Sequence, residues 1–401
     1  MAKRAEFSES EGRFKLADRL TTLLTAKKAF QPKESGHRGP MEYKPKKPVT
    51  VRHCVDNESP DGVAATKCVQ WNEGFRFIDL FAGIGGMRLG FEPAGGRCVF
   101  TSEWDSLAQD TYEANFGERP QGDITKIAPE SIPDHDLLLA GFPCQAFSII
   151  GSRKGFADTR GTLFFNVEEI LRVKRPPAFL LENVKQFKTH DSGRTYQTVI
   201  ESLGSLGYST HTTILNALYY GVPQKRERTF IVGFRADLPF EFPQPLSSAP
   251  DLATVLEKEE DLDPRLHCSE MIKAKRLERI RAQGQEPFYP SMWHENKGGH
   301  LGVHRFSCAL RHNASYNYLL VNGRRRPSSR ECLRFQGFPD SFKIVVKHTA
   351  VRAQAGNSVA VPVIKAIAAE MIKSLGRATQ GHHHQKQLSL FSREANGAIS
   401  K

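Results

Sequence analysis

From Phe75 to Phe234 the chain alternates short, continuously apolar runs with amphipathic stretches, and the runs close on glycine, acid or a polar cluster. "FRFIDLF", "GRCVFTSEW", "HDLLLAGF", "PAFLLENV" and "TFIVGF" read as strands. The segment from Met87 to Pro93, "LAQDTYEANF", "LFFNVEEILRVK" and "YQTVIESLGSLG" read as helices. Strands without a polar face, separated by helices, predict an α/β fold: a mostly parallel sheet covered by helices on both sides. Open sheets of this kind bind ligands beyond the carboxyl ends of their strands. The pattern therefore gathers Asp79–Gly86, Glu103, Asp123, Pro143–Cys144 and Glu182–Asn183 along one rim.

The rhythm stops after about residue 236. Residues 265–330 carry 13 Lys/Arg against 4 Asp/Glu, which marks a second, basic domain. "GNSVAVPVIKAIAAEMIKSL" then restores a long apolar-faced helix, expected to return to the first domain. The predicted layout is an N-terminal extension over 1–73, a catalytic and cofactor-binding domain over 74–235, the basic domain over 236–344, the helical return over 345–375 and a disordered tail over 376–401. In the extension, Leu16, Leu20, Leu23 and Leu24 fall at helical spacing, and the proline-rich basic stretch after them reads as a linker or arm.

The formal net charge of +12 favours an anionic partner, nucleic acid being the simplest. Seven cysteines with no CxxC pair argue against a disulfide framework and a compact zinc knuckle, and fit a reducing cytoplasm. No apolar run of 18 residues is present, so no membrane span is expected, and the first residues lack a secretory core.

The rim residues carry chemistry. "DLFAGIGG" lets a nucleotide-like cofactor approach the backbone, yet Gly83, Gly85 and Gly86 do not make a dinucleotide GxGxxG. Glu103 can hold a ribose diol and Asp123 an adenine amino group. Trp104 either stacks on the adenine or is a core aromatic. This set fits S-adenosylmethionine as well as NAD. Cys144 has three readings: buried packing residue, redox thiol or nucleophile. The absence of a nearby thiol disfavours the second, and Pro143 and Gln145 disfavour the first. A nucleophile acts as thiolate, which backbone amides at a loop or helix start help to form. Glu182, at the end of an apolar run, is either a carboxyl raised by burial into a usable proton donor or half of a salt bridge. Arg226 and Arg228 lie two apart on an extended segment, as a site pair or a solvated charge run.

Cysteine, glutamate and arginine beside a methyl donor suggest one reaction. Carbon 5 of cytosine is a poor nucleophile. Thiolate addition at carbon 6 with protonation at N3 makes it enamine-like, so that it can take a methyl group, and loss of its proton then expels the cysteine. The base must leave the helix to reach such a pocket, and "IIGSRKGFADTRG" would serve as a closing loop.

Across residues 75–375 the chain resembles the DNA (cytosine-5)-methyltransferases of bacterial restriction–modification type, with the motifs in the family's order. "DLFAGIGG", "SEW" and "GDI" resemble the cofactor motifs, with Phe81 against the cofactor; "GFPCQAFS" the nucleophile motif; "ENV" the motif whose glutamate engages N3; "QKRER" the motif whose arginines hold the base; "SRECLRFQGFPD" and "AGNSVAVPV" the closing motifs. The resemblance implies a Rossmann-like S-adenosylmethionine-dependent fold with a smaller target-recognition domain. It assigns catalysis to Cys144, Glu182, Arg226 and Arg228, and the cofactor to Phe81, Gly83, Gly85, Glu103, Trp104, Asp123, Pro143, Asn357 and Ser358. DNA contacts fall on Gln145, Ser148, Ile150, Arg305 and Arg311.

It further implies S-adenosylhomocysteine as product, no metal, double-stranded DNA as substrate, a monomer, a bacterial cytoplasmic setting with the DNA, and protection against a cognate restriction endonuclease or an orphan role. Three departures stand out: Ala309-Leu310 where the family carries Thr-Leu, Ile150 where some members carry serine, and "RAQAGNS" without an aromatic–glycine step. Transfer RNA as substrate, a catalytically silent DNA-binding module and an NAD-linked oxidoreductase are the competing readings. The retained Cys144, Glu182 and Arg226 and the large basic domain weigh against them.

Overall fold

A computed structural model describes residues 51–57, 65–71, 74–143, 163–312 and 314–376. The expected helix through Leu16, the expected closing loop after Cys144 and the tail lie outside these residues, as does Cys144 itself. Where the sequence suggested only a linker, β1 (Val51–Asn57) and β2 (Ala65–Trp71) form an antiparallel pair.

The rim stands on a six-stranded sheet built from β3 (Phe75–Leu80), β4 (Gly96–Ser102), β5 (Leu137–Gly141), β6 (Ala178–Val184), β7 (Ser209–Asn216) and, after the two-residue β8 (Gln224–Lys225), β9 (Glu227–Phe234). Their order is β4-β3-β5-β6-β9-β7. The pairs β3·β4, β3·β5 and β5·β6 are parallel, whereas β9 runs antiparallel to both β6 and β7. The expectation of a mostly parallel sheet thus holds for its first four strands. The short connection from Asn216 to Glu227 forces the chain to reverse, because a parallel return needs a dozen residues or more.

Alternation along the strands splits the core in two. Phe77, Leu137, Leu139, Leu180 and Val232 face Val363, Ile364, Ile367 and Met371 of the returning helix. Ile78, Leu138, Leu181 and Ile231 face Phe164, Val167 and Leu171 on one helix and Val199 and Leu203 on another. Gly233 is required where β9 crosses β6, since a Cβ there would lie 2.1 Å from the Phe179 ring.

Helices α1 (Gly86–Phe91), α2 (Ser106–Phe116), α3 (Leu163–Lys174) and α4 (Arg194–Ser205) complete the first domain. In the basic domain, α5 (Glu270–Ala282) packs Ile280 against Trp293, Leu301 and Leu320 of a small antiparallel sheet. That sheet comprises β10 (Met292–Glu295), β11 (Leu301–His304) and, after β12 (Ser307–Cys308), β13 (Leu319–Val321). β12 pairs parallel with β8, so the basic domain is stitched to the segment that leads into β9.

The expected boundaries at 236 and 344 both shift inward. Leu238 and Phe240 belong to the first core, and Leu333, Phe338 and Phe342 pack with Ile84 and Ala108. "RRRPSSREC", which looks like a charge run, is anchored inside. Arg325, 1% exposed, makes paired hydrogen bonds of 2.7 and 2.8 Å to Glu331, and Ser328 and Glu331 form a capping box on α6 (Ser329–Phe335). The long helix expected from Gly356 is in fact two. α7 (His348–Asn357) ends before a break at residues 358–360, and the next helix, α8, runs over 361–376 with Pro362 in its first turn, where proline costs no hydrogen bond.

Candidate active site

The turn after β3 carries three left-handed positions in five residues: Phe81 at φ 56°, Gly83 at φ 56° and Gly85 at φ 83°. Among the described residues no atom lies within 4 Å of a Cβ placed on Gly83, so they leave the turn open there. The Gly83 N–H donates to Glu103 Oε2 at 2.7 Å and the Asp105 N–H donates to Oε1 at 2.8 Å. Glu103 is thereby aimed at the turn. Burial raises its pKa while these backbone amides oppose the rise.

Trp104 is 81% exposed, which removes its reading as a core aromatic and leaves an indole free to stack. Asp123 is half-buried and accepts from the Thr125 N–H at 3.0 Å and from the Thr125 hydroxyl at 2.8 Å. Sequence reasoning did not single out Asp79 itself. It is buried, its Oδ2 lacks a hydrogen-bond partner among the described residues, and burial pushes its pKa up to about 7 against the opposing charge of Arg88. An open glycine turn, a fixed carboxylate, an exposed indole and an orphaned buried acid oxygen fit a ligand with hydroxyls, an aromatic ring and a cationic end. S-adenosylmethionine has all three.

On the other half of the rim, Gly141 at the end of β5 stands opposite Glu182 in β6. The Asn183 side-chain amide donates to the Phe142 carbonyl at 3.0 Å, which ties the exit of β5 to β6. Pro143 is exposed, and the chain leaves toward Cys144 from beside Glu182. Cys144, Gln145, Ser148 and Ile150 lie outside the described residues. Arg228 Nε approaches Glu182 Oε1 to 3.1 Å, but among the described residues that oxygen makes no hydrogen bond of good geometry. Burial raises the Glu182 pKa, opposed by Arg228 and then Arg226. The carboxyl is held without being consumed.

The two arginines differ. Arg226, 3% exposed, turns into the seam between the domains, where its guanidinium donates to the Leu310 and Gly356 carbonyls, each at 3.2 Å, and to the Ser358 carbonyl. Burial, then the charge of Arg228, pushes its pKa down to about 9. Beside it the fully buried Gln224 accepts from the Leu310 N–H at 3.1 Å and donates to Phe335 O at 2.6 Å. Gln336, also fully buried, donates to Ala355 O at 2.5 Å. Together they clasp the recognition segment, α6 and α7 onto the strand that carries Arg228. Removing the Arg226 guanidinium leaves three buried carbonyls unpaired. Arg226→Met is therefore expected to destabilise the fold by about 3 kcal/mol or more, with Arg226→Lys recovering part of it, as measured by urea unfolding.

Asn357, the last residue of α7, is exposed, and Ser358 is buried in the break after it. A Cβ on Gly86 would come within 2.8 Å of Ser358 Oγ, so the last motif closes directly on the start of α1. Arg305 is exposed over the Phe288 ring at 4.8 Å, and Arg311 lies over Tyr318 at 4.7 Å. Among the described residues no cluster of three His, Cys, Asp or Glu side chains has the arrangement to hold a metal ion, and no helix is long and apolar enough to cross a membrane.

Comparison with known proteins decides the family. The family model described as C-5 cytosine-specific DNA methylase matches residues 75–373. The chain belongs to that family. It is 54% identical over 317 residues to the Type II methyltransferase M.HaeII of Haemophilus aegyptius, covering 79% of this chain and 99% of that protein. It is 56% identical over 292 residues to the Type II methyltransferase M.NgoBI of Neisseria gonorrhoeae, covering 73% and 91%. Among solved structures, a mutant DNMT2 of Spodoptera frugiperda aligns with a TM-score of 0.58 at 20% identity, covering 75% of this chain and 99% of that one, which speaks for the fold alone.

The enzyme transfers a methyl group from S-adenosylmethionine to carbon 5 of a flipped cytosine in DNA, through a covalent cysteine adduct. Residues 1–74 of the methylase precede the matched region.

Proposed function

We propose that this methylase does its chemistry with Cys144, Glu182 and Arg228 at the rim between β5 and β6. The observation that carries this reading is the register of Gly141 against Glu182: the strand that delivers Cys144 ends beside a buried carboxyl already faced by a guanidinium. The Cys144 thiolate forms the bond to carbon 6. Glu182 donates its proton at N3 and holds the exocyclic amine, which moves electron density to carbon 5. Arg228 orients Glu182 and the base, and Arg226 acts one step removed, by fixing the seam behind them. Loss of the carbon 5 proton returns the electron pair that expels the thiolate.

S-adenosylmethionine, when bound, supplies the electrophilic methyl group. Glu103 would hold its ribose, Trp104 and Asp123 its adenine, and Phe81, Gly83, Gly85, Pro143, Asn357 and Ser358 the remaining walls. No metal is needed for this chemistry. Gln145, Ser148 and Ile150 in the closing loop, with Arg305 and Arg311, contact the DNA.

We place the enzyme in the bacterial cytoplasm, acting as a monomer on double-stranded DNA. Its relatives' designation as Type II methyltransferases supports the modifying half of a restriction–modification pair. Bisulfite sequencing of DNA from cells expressing the chain tests this. The expected result is one short sequence with a single protected cytosine at nearly every copy. Unmodified DNA together with methylated transfer RNA would overturn it.

A further inference from the structure

Two groups of arginines stand out around the recognition domain. Arg265, Arg276, Arg279 and Arg325 each pair with a carboxylate. Among the described residues, Arg305, Arg311, Arg324 and Arg352 pair with none and lie over aromatic rings instead. Two of the second group, Arg311 and Arg352, line one small, partly open notch with Tyr316, Tyr318, Pro327 and Cys332. Among the described residues no carboxylate lines it.

The guanidinium of Arg311 sits 4.7 Å over Tyr318 and makes no hydrogen bond among the described residues, and its Nε is buried. Arg352 sits 5.1 Å over Tyr316 and gives one long N–H bond, 3.4 Å, to the Ser315 carbonyl. A buried guanidinium donor left unpaired is costly, and the residue that carries it lines the notch. Stacking on tyrosine fixes the plane of each guanidinium while leaving its edge free to donate. Two such cations around one small space fit a tetrahedral anion better than a neutral base edge, which a single arginine reads. The notch is also fixed relative to the catalytic rim, because Leu310, next to Arg311, is held by Arg226 and Gln224.

We propose that the Arg311–Arg352 notch seats one phosphodiester of the DNA backbone and sets the register of the duplex against the active site. This rests on the DNA-methylase reading and adds Arg352 and the anchoring mode to it. The test measures duplex binding by Arg311→Gln, Arg352→Gln and the double variant over a range of salt concentrations. The slope of log affinity against log salt is expected to fall by about one for each arginine, equally on target and unrelated duplexes. Arg352→Lys keeps the slope. In the parent, neutralising a single phosphate as methylphosphonate weakens binding roughly tenfold at one linkage, and that linkage has no further effect in the double variant.

Unchanged slopes and affinities would make both arginines structural. An unchanged slope with altered sequence preference would make them base readers. Either result overturns the notch. Parallel methylation of duplex DNA by the parent separates the two claims: a parent that methylates duplex DNA while its variants keep their slopes sinks the notch alone, whereas a parent inactive on duplex DNA sinks the DNA reading.

Discussion

Replacing Cys144 with serine is expected to abolish methyl transfer, by on the order of 10⁴-fold or more, while duplex binding persists. A serine hydroxyl is far less nucleophilic than a thiolate and is not ionised at neutral pH, so carbon 5 is never activated. The phosphate grip and the recognition domain are untouched by the change, and binding therefore survives. Single-turnover transfer of labelled methyl groups, with anisotropy on the same duplex, measures both halves. Near-normal turnover would remove Cys144 from the role of nucleophile.

The second large effect concerns Glu182. Glu182→Gln is expected to slow transfer by roughly 10²- to 10⁴-fold with cofactor binding intact. Burial holds the carboxyl pKa above its ordinary value, and the charge of Arg228 limits the rise. The protonated form is the donor. The parent should therefore lose rate as pH rises through that elevated pKa, while glutamine, which cannot ionise, should give a slow and flat profile. Parent and variant with equal rates at every pH would contradict the donor role. A variant that is slow but keeps the parent's alkaline fall would assign that fall to another group.

How much of this was legible in the residues follows from what each residue must satisfy. β3, β5 and β6 are apolar because both sheet faces are covered, so continuous runs such as "LLLAG" and "AFLLENV" marked them. β7 lies at the sheet edge and reads "STHTTILN", half-exposed along most of its length, so it gave no apolar run to find. With β7 unseen, the reversal of β9 was unseen too. Only that reversal places Arg228 opposite Val184, within reach of Glu182.

The glycine turn after β3 and the acid at the end of β6 were readable, because glycine and acid recur at strand ends. The clasp was not. Gln224 and Gln336 are ordinary polar residues in sequence, and their complete burial follows from carbonyls contributed 111 residues away for Gln224 and 19 residues away, on the next helix, for Gln336. Arg325 sits in a run of three arginines whose sequence says solvated surface, and only the distant Glu259 and the helix cap at Glu331 explain why it is inside. Arg352 carried no signal beyond its charge, since its neighbours in the notch come from residues 310–332.

The central claim is that the strand ending at Gly141 delivers a nucleophile to a cytosine held by Glu182. A duplex carrying 5-fluorocytosine at the methylated position tests it most directly. Fluorine cannot depart from carbon 5 as a cation, so after methyl transfer the thiolate cannot be expelled and the adduct persists. In the presence of S-adenosylmethionine the account predicts a stable one-to-one protein–DNA conjugate, with the nucleotide on Cys144 in the peptide map. No conjugate, or one attached to a different residue, would contradict it.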